Sequence, residues 1–302
     1  FRVKAANPDG VWGEREARLR IVVTPPFWGT WWFRLTAVLG LAAVVVAALR
    51  RRMRTVRLAA AMRAAHDAQM AVMPHEDPEV EGFEVSGVCI PALDVGGDFF
   101  DYVRSGDAGG RLGIVVGDVS GKGTPAAMAA AMSCGMVGAL VRRGEPLEAV
   151  AEQVNGALRA KIGKRMFAAV CLATLDPERR ELAFVNAGLC EPLLRSGDTA
   201  TYLASEGSTF PLGAGARGRY RARTIARSPG DVVVLYTDGV PEAAGRAGTP
   251  WGYDALAGFL RGLPTGSRTA REIRDEIVRE VTRVTGSSRP ADDVAVVVVR
   301  AN

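Results

Sequence analysis

The side chains best suited to chemistry in this chain are aspartates that stand at strand ends or beside glycine. They fall in four runs: VGGDFFDY (Asp98, Asp101), VVGDVSGKG (Asp118), LYTDG (Asp238) and ADDVAVVVV (Asp292, Asp293). A carboxylate directly after a buried apolar strand is held by a rigid scaffold at a sheet edge, and the adjoining glycine admits backbone or ligand at close range. Several such carboxylates, with no histidine or cysteine among them, suit hard divalent cations, Mg²⁺ or Mn²⁺, for which oxygen is the preferred donor. Each run also has an ordinary reading. GD and DG are common turn pairs, Asp118 could cap the helix starting near Thr124, and Asp293 could simply be solvated. The recurrence of the pattern within one region favours a metal site over coincidence.

Other chemistries fit less well. The 2 histidines, His66 and His75, precede all the acidic runs, which excludes a histidine-based triad within that region. Ser120 lacks both the GxSxG frame and a neighbouring base. GDVSGKGT fails as a P-loop, because Gly123 follows Lys122 and Gly117 stands too close to Gly121. Lys122 could neutralise a phosphate oxygen or lie solvated in its glycine loop, and both readings stay open. Cys89, Cys134, Cys171 and Cys190 show no metal-ligand or disulfide spacing, so they read as small core residues in a reducing compartment.

The elements that must position the aspartates follow from the pattern. At 302 residues, 48% hydrophobic and 24% charged, the chain can build one large core with appendages. From Phe83 onward, β-rich runs (GFEVSGVCI, RLGIVVG, MFAAVCLATL, ELAFVNAG, DVVVLYT, DVAVVVVR) alternate with helical zones at 124–162 and 253–285. This predicts a mixed α/β domain with many antiparallel strands. The run at 126–141 is apolar enough to suggest a membrane span. Its small residues, its start at Gly123 and Pro125 and its stop at Arg142–Gly144 make it a core helix instead.

Ahead of this domain, Leu35 to Leu49 are uncharged and mostly apolar, preceded by Phe27, Trp28, Trp31, Trp32 and Phe33 and followed by Arg50, Arg51, Arg52, Arg54, Arg57 and Arg63. A spanning helix needs roughly 20 residues, so Trp31–Phe33 must contribute, with Arg34 snorkelling to the headgroups. A buried helix and a signal sequence are the alternatives, and the internal position disfavours the second. The arginine run marks the cytoplasmic side. The expected organisation is therefore 1–26 extracytoplasmic, 27–49 a single transmembrane helix of the cell membrane, 50–74 a juxtamembrane linker helix and 75–302 a cytoplasmic domain. Residues 50–73 lack Pro and Gly, but Val56, Ala60, Arg63, Asp67 and Met70 do not sustain heptads; a signalling helix pairing in a homodimer and a solvated linker both fit. The net charge of +5 is not laid out as a basic stripe among aromatics, so no nucleic-acid partner is expected. The start at Phe1, in a strand-and-turn pattern, reads as a piece of a longer polypeptide.

In order, GGDFFDY, GDVSGKGTPAAM, NAGLCEPLL, YTDGVPEA and DDVAVVVVR resemble the motifs of the metal-dependent protein phosphatase family, specifically its bacterial branch typified by the sporulation stage II E phosphatase. The resemblance runs from about Phe83 to Arg300. It implies an αββα four-layer sandwich of two stacked, mostly antiparallel sheets. At one sheet edge it implies a centre of two Mn²⁺ or Mg²⁺ ions where phosphoserine or phosphothreonine is hydrolysed. By the same resemblance Asp118 would bridge the metals, the Val119 carbonyl would ligate one, and Asp98 would act largely through bound water. Asp238 and Asp292 would complete the second metal, with Asp293 the alternative to Asp292. The implied partner is a phosphorylated cytoplasmic regulator such as an anti-sigma-factor antagonist. Leu189 and Cys190 depart from a His-Asn or similar pair common in the family, and Ala295 from a Thr, which bears on substrate positioning rather than on metal. Near the start, RVKAANPDGVW and the following aromatic run resemble the last hairpin of the tyrosine-rich β-sandwich that follows sensor β-propellers. A catalytically silent phosphatase-like module is the competing expectation.

Overall fold

The computed structural model describes residues 1–24, 26–92, 95–106, 110–162, 166–215, 219–245, 248–287 and 290–302, and the side chains within that set other than those at 58–59 and 61–62. The chain divides into two compact units, 1–60 and 61–302.

In the first unit, β1 (Arg2–Val3) pairs antiparallel with β2 (Ala17–Arg18). The turn is tied by Gly10 N–H donating to the Asn7 carbonyl (3.0 Å) and Val11 N–H to Asn7 Oδ1 (2.9 Å), the use of Asn that tight turns favour. Phe27 packs edge-on against Trp28 and Phe33, with ring centroids 5.0 and 5.4 Å away. Helix α1 (Trp31–Val72) then runs without a proline, its residues from 61 on belonging to the second unit, and ends ahead of Pro74. Its Trp31–Arg57 stretch, 27 residues long, contains an 18-residue window of mean hydropathy 2.1, none of it buried. At 1.5 Å per residue that is about 40 Å of helix, against a hydrocarbon core of about 30 Å.

In the second unit, β3 (Glu79–Val80) and β4 (Phe83–Ile90) are followed by β5 (Phe99–Arg104), β6 (Leu112–Val119), α2 (Thr124–Arg142) and α3 (Leu147–Lys161). Next come β7 (Ala168–Asp176), β8 (Glu181–Ala187), β9 (Leu193–Ser196), β10 (Thr199–Tyr202), and the short β11 (Glu206–Gly207) and β12 (Tyr220–Arg221). β13 (Arg223–Ala226), β14 (Val232–Tyr236), α4 (Tyr253–Gly262), α5 (Ala270–Thr285) and β15 (Val294–Ala301) complete the series. One sheet has the order β10-β9-β14-β15-β4-β3 and the other β13-β8-β7-β6-β5, antiparallel at each pairing. Helices α2 and α3 cover the five-stranded sheet, and α4 and α5 cover the six-stranded one. This is the αββα sandwich expected from the motifs.

Strand periodicity explains the layering. Along β15, Ala295, Val297, Val299 and Ala301 enter the core between the sheets, while Val294, Val296 and Val298 enter the core beneath α4 and α5. A strand buried on both faces reads as a continuous apolar run rather than an alternation, which is why VAVVVV carries no polar position. The apolar helix α2 has half of its length buried, with Ala126, Ala129, Ala130 and Val137 in the core against β5 and β6. Its small side chains allow that close approach. α5 starts in a capping box, with Thr269 and Glu272 satisfying each other's backbone N–H groups, and ends at Gly286 in the left-handed region.

Candidate metal centre

Register brings the carboxylates together in pairs. β5 and β6 set Phe99 opposite Gly117, so one residue further on Asp98 stands opposite Asp118. In the other sheet β14 and β15 lie side by side, and their pairing continues past the end of β14. Thr237 N–H donates to the Ala295 carbonyl (3.0 Å), and Ala295 N–H donates to Thr237 Oγ1 (2.8 Å). Asp238 therefore leaves one strand at the edge where Asp292 and Asp293 enter the next. A short bond joins the sheets: Thr237 Oγ1 donates to Asp98 Oδ2 at 2.6 Å.

The loop before Asp98 closes the notch. Asp293 accepts Ala92 N–H on Oδ1 and Gly97 N–H on Oδ2, both at 2.8 Å. The Gly97 carbonyl accepts Val119 N–H at 3.1 Å. A Cβ on Gly97 would stand 2.4 Å from the Val119 carbonyl oxygen and 2.8 Å from Asp118 Oδ1, so only glycine permits the approach. The Val119 carbonyl and the Asp118 carboxylate thus border the same small volume.

Charge tells the same story. Asp98, with 2% of its surface exposed, is held well above the usual carboxylate range, by burial first and by Asp118 next, with Asp293 and Asp238 adding and the Thr237 hydroxyl opposing. Asp118 is pushed up to about 6 by burial, then by Asp238, with Asp292 and Asp293 adding and a hydrogen bond to Asp98 opposing. Burial, Glu242 and Asp292 raise Asp238. Like charges sharing one volume raise each other in this way, and a divalent cation would relieve the repulsion. Among the described residues no three His, Cys, Asp or Glu side chains close into a ready-made cage. The carboxylates are gathered, and the side toward Asp292 is open. The nearby Cys89 thiol is held protonated by burial and by Asp98, which leaves an all-oxygen donor set that fits Mn²⁺ or Mg²⁺.

Of the residues singled out from sequence, Asp98, Asp118, Asp238 and the Val119 carbonyl are brought together. Asp292 lies exposed at the rim, 3.4 Å from Lys122 Nζ. Asp293 is at the same edge with both oxygens engaged by backbone. Asp101 is turned away: it accepts Tyr102 N–H (2.8 Å) and interacts with Arg142 of α2. Ser120 Oγ accepts Phe167 N–H at 2.9 Å, a structural duty. Leu189 and Cys190 lie in a loop braced by Asn186, whose Oδ1 accepts Leu189 N–H at 2.9 Å, and Cys190 Sγ is 3.5 Å from Tyr253 Oη. The cross-sheet Thr237 was not anticipated, nor was the backbone-holding role of Asp293, which the sequence singles out only as a candidate ligand. Their letters sit inside the motifs, but only the three-dimensional pairing reveals their partners.

Two antiparallel sheets between paired helices, with carboxylates gathered at one edge, define the PP2C class of fold. The RsbU and RsbW domains of Rv1364c from Mycobacterium tuberculosis match with a TM-score of 0.65 at 27% identity, over 74% of this chain and 61% of that one. The SiaA PP2C domain of Pseudomonas aeruginosa matches with a TM-score of 0.69 at 22% identity, over 82% and 98%. In sequence, the phosphoserine phosphatase RsbU of Bacillus subtilis is 24% identical over 178 residues, 59% of this chain and 52% of RsbU. The model of the stage II sporulation protein E (SpoIIE) family matches residues 108–302, and the chain belongs to that family. Asp98 lies upstream of the matched stretch. The chain spans about half the length of RsbU.

Proposed function

We propose that this chain is a membrane-anchored protein serine/threonine phosphatase that hydrolyses phosphoserine or phosphothreonine on a cytoplasmic regulatory protein. The observation that carries the proposal is the gathering of Asp98, Asp118 and Asp238, with Asp292 at the rim, at one edge of a PP2C fold. Two bound ions, Mn²⁺ or Mg²⁺, would supply a water of lowered pKa and positive charge to brace phosphoryl oxygens. Asp118, flanked by Asp98 and Asp238, is suited to bridge them, and the Val119 carbonyl to ligate one. Asp238 and Asp292 would hold the second. Asp98 would act through water, oriented by Thr237. Asp293 keeps the loop in place, which favours Asp292 over it as ligand. Lys122, beside Asp292, is suited to meet a phosphate oxygen of the substrate. The phosphoserine phosphatase RsbU and the pairing of RsbU with RsbW domains in the mycobacterial relative support a phosphorylated anti-sigma-factor antagonist or a similar switch protein as partner.

The anchor rests on α1. Each exposed Leu or Val of the Trp31–Arg57 stretch forgoes roughly 1.5–3 kcal/mol of burial in water, a cost that lipid removes. With the arginine run on the cytoplasmic side, residues 1–26 would belong to an extracytoplasmic sensor sandwich, 27–49 would cross the membrane, 50–74 would link, and 75–302 would be the phosphatase. The test is Mn²⁺-dependent hydrolysis of p-nitrophenyl phosphate by the intact chain in nanodiscs, beside Asp118→Asn. A parent no faster than that variant, yet still binding a phosphoprotein, would make the domain a silent module. Release from membranes by carbonate would refute the anchor.

A further inference from the structure

The loop that delivers Asp98 is gripped at each backbone polar group of its two glycines. For Gly97 the grips come from within the sandwich, from Asp293 and from Val119. For Gly96 both come from a single side chain of α1: Gly96 N–H donates to Gln69 Oε1 at 3.2 Å, and Gln69 Nε2 donates to the Gly96 carbonyl at 2.9 Å. A primary carboxamide offers one acceptor and two donors, so Gln69 meets Gly96 as a neighbouring strand would. Its own position is fixed by the end of α1, just beyond which Met73 is buried in the hydrophobic core, with Met70 packed against that core. On its other side Gly96 backs onto the metal-centre edge, where an added Cβ would lie 2.2 Å from Asp293 Oδ2. A shift of Gly96 would therefore disturb the carboxylate that holds Gly97, and with it the backbone of Asp98.

We propose that Gln69 is a positioning residue for the metal centre: its carboxamide sets the loop that carries Asp98 and thereby the affinity for the divalent ions. The inference rests on the metal-centre reading of the acidic cluster. Nothing in the spacing of residues 50–73 singles out this glutamine; the paired contact does. Loss of an outer partner of a metal site typically weakens metal binding about 10–100-fold, and a defect of positioning is restored by excess metal.

The experiment is a calorimetric Mn²⁺ titration of the intact chain in nanodiscs, for the parent, Gln69→Ala and Gln69→Met, alongside the Mn²⁺ dependence of p-nitrophenyl phosphate hydrolysis. Methionine keeps the length and helix preference of glutamine but offers neither hydrogen bond. Both variants are expected to bind Mn²⁺ about tenfold more weakly or worse, with kcat returning toward the parent value at saturating Mn²⁺. Parent-like Mn²⁺ affinity in Gln69→Met would show that packing, not the amide, is what counts, and would overturn the proposal even if Gln69→Ala fails to fold. If the parent binds Mn²⁺ but hydrolyses nothing, the phosphatase reading falls while the affinity comparison still judges Gln69. If the parent binds no Mn²⁺, both fall.

Discussion

The five-stranded sheet delivers its carboxylates inward, with Asp98 almost fully buried and Asp118 half-buried, whereas the six-stranded sheet delivers Asp238 half-buried and Asp292 to solvent. Asp98 cannot shed its charge into water, and Asp118, pushed up by burial and by Asp238, shares with it a dependence on cations or protons. The outer pair has water, and Asp292 has Lys122 as well. The same residue type thus has different leverage on the two sides of one notch.

Substitutions across the notch can break or sharpen that contrast. Asp118→Asn should cost the Mn²⁺-dependent hydrolysis rate about 1000-fold or more, roughly 4 kcal/mol of transition-state stabilisation. Asp292→Asn, at the rim, should cost about 10–100-fold, in line with a site that retains its inner ligands; equal losses would erase the distinction. Thr237→Val keeps the shape but removes the hydroxyl that orients Asp98, and should raise the half-saturating Mn²⁺ concentration about tenfold at unchanged kcat. An unaltered titration would mean that the bond between the sheets does not matter for metal.

The inner pair also predicts a pH signature. Asp118 has a folded pKa of about 6, above its ordinary 3.8, so it favours the fold while protonated. Its contribution is present below the lower value and is lost as pH rises through the upper one. Metal-free parent should therefore lose thermal stability relative to metal-free Asp118→Asn between pH 4 and 7, and Mn²⁺ should restore the parent alone. The smallest effect is expected for Lys122→Ala, whose exposed ion pair is worth about 0–1 kcal/mol. KM for a phosphopeptide should rise a few-fold with the melting temperature unchanged, and an unaltered KM would leave Lys122 as a solvated side chain.

What could be read from the letters was whatever depends on local pattern. β15 was legible because a strand buried on both faces must be apolar throughout, and Asp292 and Asp293 stood out because they come just ahead of that run. α2 and the Trp31–Arg57 stretch of α1 both pass the apolar test for a membrane span. Small residues and a glycine–proline start marked α2 as core, and half of it is buried; arginines and aromatics make a membrane anchor the proposal for α1. Contacts between distant segments were not legible. Asp292 and Asp293 are adjacent in sequence, and only their partners separate them, a lysine for one and two loop N–H groups for the other. Thr237 and Gln69 act through residues 139 and 27 positions away, a reach that periodicity does not encode.

The placement of β15 carries a kinetic cost. It inserts between β14 and β4, pairing Val294–Ala301 with Phe83–Ile90 from far earlier in the chain. Contacts of such long sequence separation form slowly, because the intervening polymer must first lose its freedom. Until that insertion occurs, β4 and β14 each present an open edge that can recruit foreign strands. The rim aspartate enters with the same strand, so a chain caught part-way through folding has a vulnerable sheet and no completed ion site.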